Sequence, residues 1–379
     1  TDAQFHPQMK MLKKMMKSSW TPWSVGGLLA AGMILICARN ILLGTDSRRV
    51  TISSQIEKDV AQISADTFKM LKLLEYEKKA MEKIAEDENT VITRIDGVAT
   101  QMDKQTSIRG TGDCVETQTT PSFFVCIHDI KDDLYISKDL KETGHFDRDV
   151  EETIKRISDQ LDRTQDEKVF FEVGGNIGVF ALYAAKLGFE VHTIEPLIRN
   201  LERLMDSVHL NGFKNIKVYP GAVSDSIGRV DLYAWKGNVG STFIPTGKDD
   251  NRLIDTGVLY QGSALSFKLN DILKDFKRID IMKIDCEGHE EHVIRGMDTI
   301  LRAGIVQHVI VEIQPGVLQD SRAISELFKE AGYSVMHLNT KNSDPLTYEE
   351  LATVLSNAKY GSAVDLLFTL SNVRGFRST

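Results

Sequence analysis

The sequence predicts an α/β fold with a doubly wound, mostly parallel sheet. Apolar strand-like runs alternate with helical segments from Val169 onward, and this alternation is typical of parallel sheets with both faces covered by helices. The first run leads directly into a glycine-rich turn and a helix, which places backbone N–H groups beside a nucleotide-like ligand. A chain of 379 residues with 42% hydrophobic content can bury such a core and still carry a large appendage.

Composition narrows the classes of partner and site. A net charge of -8 and a pI near 5.7 give no support to a nucleic-acid partner, because phosphate binding usually needs a basic face. The four cysteines have no paired Cys-x-x-Cys spacing, so neither a zinc site nor a dense disulfide framework is indicated. Cys114 and Cys126 could form one bridge in an oxidising compartment or remain two unrelated thiols.

The N-terminal part of the chain predicts a membrane anchor. No charged residue occurs from Ser18 to Ala38, and a bilayer is spanned by about 20 mostly apolar residues. We therefore expect a basic cytoplasmic tail at 1–17 and a transmembrane anchor at 18–43, with a type II orientation from the lysines of the tail. The alternative is a cleaved signal peptide with a long basic leader.

Residues 44–110 predict a helical stem. Between Val50 and Gln105 there is no proline, charges are frequent, and most positions of a heptad seam are apolar, as in a coiled coil. Such a stem could form a homodimer, although Glu77 and Glu88 fall on the seam and weaken a tight pair. The alternative is a single amphipathic helix that lies on the following domain.

Residues 111–379 predict the globular domain. A linker-like stretch at 110–121 precedes a strand at Phe123–His128 and a helix at Asp147–Leu161. The main strands are predicted at Val169–Val173, Val191–Ile194, Ile216–Val223, Ile279–Ile284, Val309–Ile313, Ser334–Leu338 and Val364–Leu370, with helices at Val179–Lys186, Asn200–Leu210, Glu290–Leu301 and Ala323–Ala331. Short strands at Val230–Trp235 and Ala264–Leu269 indicate an insertion before the fourth main strand.

Polar residues cluster where these strands end. In open sheets of this type, ligands bind beyond the carboxyl ends of the strands, where the strand order reverses. The residues expected there are Glu172, Gly174, Gly175, Asn176, Gly178, Glu195, Ser224, Asp225, Asp285, Glu287 and His289. A dinucleotide fingerprint that begins at Gly174 would need glycines in place of Asn176 and Val179, so a nicotinamide-dependent dehydrogenase is disfavoured.

Several separated motifs resemble the FkbM family of S-adenosylmethionine-dependent methyltransferases. The resemblance covers about Phe123 to Leu370, and the run Lys-Ile-Asp-Cys-Glu-Gly is its most specific motif. The motifs are Phe-Glu-Val-Gly-Gly-Asn-Ile-Gly at 171–178, Ile-Glu-Pro at 194–196, Gly-Ala-Val-Ser-Asp at 221–225, Gly-Ser-Thr at 240–242, Met-Lys-Ile-Asp-Cys-Glu-Gly-His-Glu at 282–290 and Val-Glu-Ile at 311–313. The chain departs from the family at Glu172 and Gly175, where the family usually has Asp and Ala.

The resemblance implies a Rossmann-like class I methyltransferase sheet with S-adenosylmethionine as cofactor. The first loop and Glu172 would lie beside the cofactor, Glu195 would bind the ribose hydroxyls, and Ser224 and Asp225 would flank the adenine. A hydroxyl acceptor also needs a base. Asp285 and Glu287 are the expected catalytic residues and His289 is a candidate base, with a helix-start carboxylate and a surface histidine as the structural alternatives.

Two further features bear on the acceptor site. Asp285 and Glu287 could hold a divalent ion, but their spacing alone is weak support, and no metal is predicted. The segment Lys236–Gly262 contains five glycines and little periodicity. It is expected to form a mobile lid over the acceptor, or else a surface insertion without contact to the substrate.

The sequence thus predicts a membrane-anchored O-methyltransferase that acts on a glycan or small metabolite. An anchor followed by a stem is similar to the layout of Golgi enzymes, so a Golgi or other endomembrane location and a glycan hydroxyl are expected. No asparagine stands in an Asn-x-Ser/Thr sequon, which leaves a cytosolic face open. The alternative from another class is a catalytically silent, membrane-tethered scaffold, which the joint presence of Glu195, Asp285 and Glu287 disfavours.

Overall fold

The computed structural model describes residues 113–161, 168–247, 250–318, 320–338, 345–357 and 363–371. The predicted tail at 1–17, the anchor at 18–43 and the stem at 44–110 lie outside these ranges and stay predictions. Among the helices that the structure describes, none combines the length and the apolar character needed to cross a membrane.

The described chain alternates strands and helices, as the sequence predicts. The strands are β1 (Cys114–Glu116), β2 (Phe124–Cys126), β3 (Val169–Val173), β4 (Glu190–Glu195), β5 (Ile216–Pro220), β6 (Ala222–Val223), β7 (Gly228–Trp235), β8 (Asn238–Phe243), β9 (Val258–Phe267), β10 (Ile279–Ile284), β11 (Val306–Ile313), β12 (Tyr333–His337), β13 (Pro345–Leu346) and β14 (Val364–Leu370). The helices are α1 (Ile136–Thr143), α2 (Arg148–Gln160), α3 (Val179–Lys186), α4 (Ile198–Asn211), α5 (Leu269–Ile272), α6 (Glu290–Arg295), α7 (Asp298–Arg302), α8 (Ser321–Glu330) and α9 (Tyr348–Asn357).

The main sheet has eight strands in the order β13-β12-β14-β11-β10-β3-β4-β5. Neighbouring strands from β11 to β5 are parallel, and β14 inserts antiparallel between β11 and β12. This confirms the predicted α/β fold with a mostly parallel sheet. The chain leaves β3 through β4 and β5 and then returns to β10 on the other side of β3. The strand order therefore reverses beside β3, where α/β sheets bind their ligands.

The core forms between this sheet and the helices on its faces. Phe170 of β3 and Ile281 of β10 are fully buried and belong to the same apolar cluster as α3. Helix α3 is buried from Val179 to Ala185, as expected for a helix without a polar face. Helix α2 instead buries one stripe, Val150, Ile154 and Ile157, whose spacing of three and four residues matches one helix face.

Two predicted elements are each divided by a glycine. The predicted strand 216–223 is two strands, because Gly221 has φ 154° and a Cβ there would lie 2.7 Å from the ring of Phe267. β5 therefore stays in the main sheet, while β6 begins a second sheet. The predicted helix 290–301 is likewise α6 and α7, which separate at Gly296, where a Cβ would lie 2.3 Å from the carbonyl oxygen of Ser224.

The insertion before β10 forms a four-stranded sheet in the order β6-β9-β7-β8. The two predicted short strands are longer than expected and become β7 and β9. The segment predicted as an irregular lid, 236–262, contains β8, a 3-10 turn at Asn251–Ile254 and the first half of β9. Cross-strand pairs such as Tyr233 with Phe243 order this segment despite its glycines.

A short hairpin of β1 and β2 precedes the main fold. Cys114 and Cys126 are register partners and form a disulfide, so the structure has the bridge rather than two thiols. The backbone N–H of Cys126 donates to Ser207 Oγ at 2.8 Å, and the N–H of Phe124 donates to Asn211 Oδ1 at 2.9 Å. Both acceptors belong to α4, so these hydrogen bonds attach the hairpin to the helix that follows β4.

Candidate functional site

The loop after β3 needs glycine because three backbone segments meet there. Gly174 has φ 82°, and a Cβ on it would lie 1.8 Å from the carbonyl oxygen of Asp285. A Cβ on Gly175 would lie 2.1 Å from Thr193 Oγ1. The N–H groups of both glycines donate to the carbonyl oxygen of Ile194 at 3.0 Å. The predicted loop thus closes tightly on the ends of β4 and β10.

Glu195 fastens this loop to the start of α4. Its Oε2 accepts from the N–H of Asn176 at 2.9 Å, and its Oε1 accepts from the N–H of Leu197 at 2.9 Å and from Asn200 Nδ2 at 3.1 Å. The residue is 4% exposed, and burial raises its pKa to about 7. Glu195 therefore lies at the predicted place, next to the loop, and it organises the loop directly.

Ser224 and Asp225 lie together with two histidines of the loop after β10 and α6. His289 Nε2 is 3.1 Å from Ser224 Oγ, and His292 Nδ1 is 3.0 Å from Asp225 Oδ2. The two imidazole rings stack with centroids 4.5 Å apart. Burial, and next the neighbouring His292, lower the pKa of His289 to about 3. The structure thus places His289 in contact with Ser224, which is predicted to flank the adenine. The role of His289 as a base stays a prediction.

Lys283 and Glu172 lie side by side on β10 and β3. Lys283 Nζ is 2.9 Å from Asp285 Oδ2 and 4.7 Å from the centroid of the Phe180 ring. Glu172 is 1% exposed and accepts from Thr193 Oγ1 at 3.2 Å. Burial raises the pKa of Glu172 to about 8, and the charge of Lys283 opposes this rise. The buried ammonium group of Lys283 therefore contacts Asp285 and lies next to Glu172, the carboxylate predicted beside the cofactor.

Glu287 occupies a left-handed backbone conformation, with φ 53°. Its Oε2 accepts from Gln314 Nε2 at 2.8 Å, and its carbonyl oxygen accepts from Arg252 Nη1 at 2.5 Å. Burial raises its pKa to about 8, with further contributions from the charges of Asp285 and Glu290. The carboxyl group of Glu287 is therefore fixed from both ends of the residue.

Arg252 brings the insertion into contact with this loop. It is 3% exposed and pairs with Asp250, with Nη2 to Oδ2 at 2.7 Å. Its guanidinium lies 4.1 Å from the centroid of the Phe243 ring. On the cofactor side, Asn176 Nδ2 donates to the carbonyl oxygen of Gly240 at 2.8 Å. The insertion thus contacts both loops of the site, and whether it forms a lid that contacts the substrate stays a prediction.

Further carboxyl groups surround Asp285 on the β11 and β14 side. Glu312 and Asp365 are register partners on these strands. The charge of Asp285, together with burial, raises the pKa of Glu312 to about 10. Burial, with the charge of Asp365, raises the pKa of Asp147 to about 6. The half of the site over β10, β11 and β14 is therefore strongly acidic.

The sequence does not single out Lys283, Arg252, Gln314, Glu312, Asp365 or Asp147 as site residues. For Lys283 the sequence gives one indication of a site residue, because it lies in the motif that contains Asp285. For Arg252 and Gln314 the sequence gives no such indication, because they reach Glu287 from other elements. Across the described part of the chain, no three His, Cys, Asp or Glu side chains lie in an arrangement that could hold a metal ion.

Comparison with known proteins finds a match over the part of the chain that contains the loop after β3. Residues 172–335 match the family model described as the methyltransferase FkbM domain. A similar curated protein is the hexuronic acid methyltransferase AglP of Haloferax volcanii, 28% identical over 178 residues, which are 46% of this chain and 66% of that protein. The matched part is thus just under two thirds of that relative.

Two other similar proteins are methyltransferases by description. Methyltransferase sdnD of Sordaria araneosa is 25% identical over 193 residues, which are 43% of this chain and 73% of that protein. A solved SAM-dependent methyltransferase from Agrobacterium tumefaciens gives a TM-score of 0.37 at 11% identity, over 69% of this chain and 71% of that one. That structural likeness is too low to bear on function.

Proposed function

Residues 172–335 carry the FkbM methyltransferase domain, whose cofactor is S-adenosylmethionine, and from this premise we propose that the chain is an O-methyltransferase acting on a hydroxyl of a glycan or small metabolite. The observation that carries the proposal is the meeting of the glycine loop after β3 with Glu195 and Asp285 at the point where the strand order reverses. A carboxylate-rich crevice at that point suits a ligand that joins a ribose to a cation.

The residues present fit a sulfonium nucleoside. The loop from Gly174 to Asn176 approaches Asp285 through its backbone, without an intervening side chain, because no Cβ fits at Gly174. Burial, and among other charges that of Asp285, raise the pKa values of Glu172 and Glu195. A positive charge that enters this group relieves the repulsion. Glu195 would then bind the ribose, and Ser224 and Asp225 would border the adenine.

The chain's own groups supply positioning and proton acceptance. When bound, S-adenosylmethionine provides a methyl group on a positively charged sulfur. Lys283 orients Asp285 through its 2.9 Å contact. Glu287, with a pKa of about 8 and a carboxyl group held by Gln314, is suited to accept the proton of a hydroxyl near neutral pH. Burial of the surrounding groups excludes water from the reacting atoms.

The acidic half of the site favours an uncharged acceptor group. Glu287, Glu312 and Asp365 face the same region from three strands or loops. The charge of Asp285 and burial, followed by the charges of Glu287 and Asp365, raise the pKa of Glu312. A carboxylate acceptor would add one more negative charge to a cluster of acids whose mutual repulsion already raises the pKa values of Glu287 and Glu312, which costs binding energy. Although one relative is described as a hexuronic acid methyltransferase, we propose that this chain methylates a neutral hydroxyl.

We further propose that the domain faces the lumen of the Golgi or another endomembrane compartment, held by the anchor at 18–43 in type II orientation. The stem at 44–110 would hold the domain away from the bilayer and could pair two chains. The disulfide between Cys114 and Cys126 supports the lumenal side, because disulfides persist in oxidising compartments and are rare in the cytosol.

Calorimetry and methyl transfer with the full chain test the proposed activity. S-adenosylmethionine is titrated into the native chain, into Glu195→Gln and into Glu202→Gln, a control on the exposed face of α4. We expect Glu195→Gln to weaken binding by about 10- to 100-fold, the loss of a hydrogen bond to a charged group. The control is expected to bind like the native chain.

A screen of glycan and small-molecule acceptors with radiolabelled methyl donor completes the test. Labelling of a neutral hydroxyl compound by the native chain, reduced in Glu195→Gln, supports the O-methyltransferase. A native chain that does not bind S-adenosylmethionine at micromolar concentration would instead favour the silent scaffold. Labelling of a carboxylate as a methyl ester would overturn the choice of a neutral acceptor.

A further inference from the structure

Aromatic side chains cross the outer face of the insertion sheet. Tyr233 on β7 is the register partner of Phe243 on β8 and of Tyr260 on β9, with ring centroids 6.2 Å and 5.4 Å away. Trp235 lies two residues further along β7, on the same face, with its ring 4.9 Å from that of Phe243. We call these four side chains the aromatic row.

The row runs from a buried end to an exposed end. Phe243 is fully buried, Tyr233 and Trp235 are half-buried, and Tyr260 is 44% exposed. The opposite face of the sheet packs into an apolar cluster through Leu232, Val239 and Ala264. The row therefore lies outside that core, and part of it is open to a ligand.

The buried end of the row adjoins the loop after β10, which holds Glu287. Arg252 lies over the Phe243 ring at 4.1 Å and donates to the carbonyl oxygen of Glu287 at 2.5 Å. A single side chain thus separates the aromatic row from the residue proposed to accept the acceptor's proton. A ligand on the exposed part of the row would have one end directed toward the contact between Arg252 and Glu287.

The exposed end combines an aromatic face with a carboxylate. Asp231, two residues before Tyr233 and also exposed, has its Oδ1 3.5 Å from Tyr260 Oη. Pyranose rings have an apolar C–H face and a polar rim of hydroxyls, so aromatic planes with adjacent hydrogen-bond acceptors suit them. The three strands set these groups about 10 Å across, the scale of a short stretch of glycan chain.

We propose that the aromatic row is a binding platform for a pyranose-containing glycan acceptor and leads it toward Glu287. This inference rests on the proposed O-methyltransferase function and names its acceptor class. The row spans only about 10 Å and ends in hydrogen-bonding groups, whereas a stable interface between two chains buries about 800 Å² on each partner. A glycan therefore fits it better than a second copy of the chain.

Kinetics with long and short acceptors test the platform in the full chain. Cellohexaose, mannohexaose and xylohexaose are compared with glucose, mannose and xylose, for the native chain, Tyr260→Ala, Tyr260→Phe and Leu259→Ala. Leu259 is the matched control, since it is 47% exposed and pairs with Ala234 on the other face of the sheet. We expect Tyr260→Ala to raise KM for the preferred hexaose about tenfold without a change in kcat or in KM for the monosaccharide. Leu259→Ala should match the native chain, and Tyr260→Phe, which keeps the aromatic ring, should raise this KM less than Tyr260→Ala does.

Binding measurements keep this proposal separate from the proposed reaction. Calorimetry that shows a hexaose bound but not methylated, with binding lost in Tyr260→Ala, would keep the platform and overturn the reaction. Equal KM values for the hexaose in the native chain and Tyr260→Ala would overturn the platform alone. A native chain that binds none of the hexaoses would also overturn it. So would light scattering that shows a dimer dissociated by Tyr260→Ala, since the row would then join two chains.

Discussion

Glu287 combines an unusual backbone with a perturbed carboxyl group. A non-glycine residue at φ 53° is uncommon, and such residues concentrate at functional sites because surrounding contacts must hold them. Arg252 and Gln314 supply those contacts at its carbonyl and carboxyl oxygens. The carboxyl group is therefore directed by residues from the insertion and from the end of β11, and its direction does not depend on the loop alone.

Replacement of Glu287 tests its role as the base. We expect Glu287→Gln to lower kcat by about 10²- to 10⁴-fold, the usual contribution of a general base. Because only the ionised carboxylate accepts a proton and its pKa is raised to about 8, kcat/KM of the native chain should rise from pH 7 to pH 9 and then level off.

Initial rates across this pH range, with Glu326→Gln on the exposed face of α8 as the control, check both expectations. A Glu287→Gln variant that keeps the same rise with pH would assign the titration to another group.

Site residues that follow strand ends are predictable from the sequence, whereas those that arrive from elsewhere are not. Asp285 and Glu195 lie at the ends of strands whose apolar pattern is evident, so their convergence could be predicted. Arg252 lies 35 residues before Glu287 in a segment without periodicity, and no spacing rule connects the two. His289 is a candidate by its residue type, whereas its contact with Ser224 depends on how α6 packs.

At the scale of elements, the loop between β3 and α3 is limited by backbone contact. Gly174→Ala combines a left-handed conformation with a clash against the carbonyl oxygen of Asp285, which cannot move without shifting β10. We expect a loss of at least about 2 kcal/mol in the free energy of unfolding, together with weaker binding of S-adenosylmethionine.

Gly212→Ala is the matched control for this loop. Gly212 ends α4 with φ 67°, and a Cβ at this position would meet no atom within 4 Å. Its cost is therefore the conformational strain alone, about 1 kcal/mol. Urea unfolding and calorimetry of both variants measure the difference. Equal losses in the two variants would show that the close approach to Asp285 does not limit the loop.

The β1–β2 hairpin depends on its disulfide. The bridge closes a segment with a sequence separation of 12, and loops of this size are stabilised by about 3 kcal/mol in the chain-entropy model. We expect the double variant Cys114→Ser, Cys126→Ser to unfold at lower urea concentration than the native chain. Mass spectrometry of non-reduced peptides from chain made in cells should show Cys114 linked to Cys126. Free thiols at both positions would contradict the bridge and remove its support for the lumenal side.

Element boundaries are predictable where the hydrophobic pattern changes and not where the backbone turns within it. Ala222 and Val223 continue the apolar pattern of β5 beyond Pro220 and Gly221, and the packing of Phe267 against that glycine separates the two strands. The strand β8 and the first half of β9 are hidden for the opposite reason, because glycines and polar residues mask their alternation. Cross-strand aromatic pairs keep these strands in the sheet, and sequence spacing alone does not reveal such pairs.

At the scale of the whole molecule, the buried acids make stability depend on pH. The pKa values of Glu172 and Glu287 are raised to about 8 and that of Glu312 to about 10, so the folded chain holds protons that the unfolded chain has lost. Stability from these groups is complete below the ordinary glutamate pKa and is lost as pH rises through the folded values. The slope is about 1.4 kcal/mol per pH unit for each extra proton.

Thermal unfolding between pH 7 and pH 9 checks this expectation. The midpoint should fall as pH rises, and Glu312→Gln should reduce the slope. Buried His289 and His308, with pKa values lowered to about 3 and 4, act in the opposite direction, but only below about pH 6.5. A midpoint that rises from pH 7 to pH 9 would contradict the assigned protonation of the acids.

The placement of β14 has a consequence for synthesis of the chain. This strand comes last among the described elements, yet it pairs with β11 on one side and β12 on the other. Until the ribosome has released it, both neighbours carry unpaired edges, and such edges readily recruit strands from other molecules. Nascent or truncated chains that lack residues 364–370 are therefore the species most in need of chaperones, and a premature stop before Val364 should yield aggregates rather than a smaller enzyme.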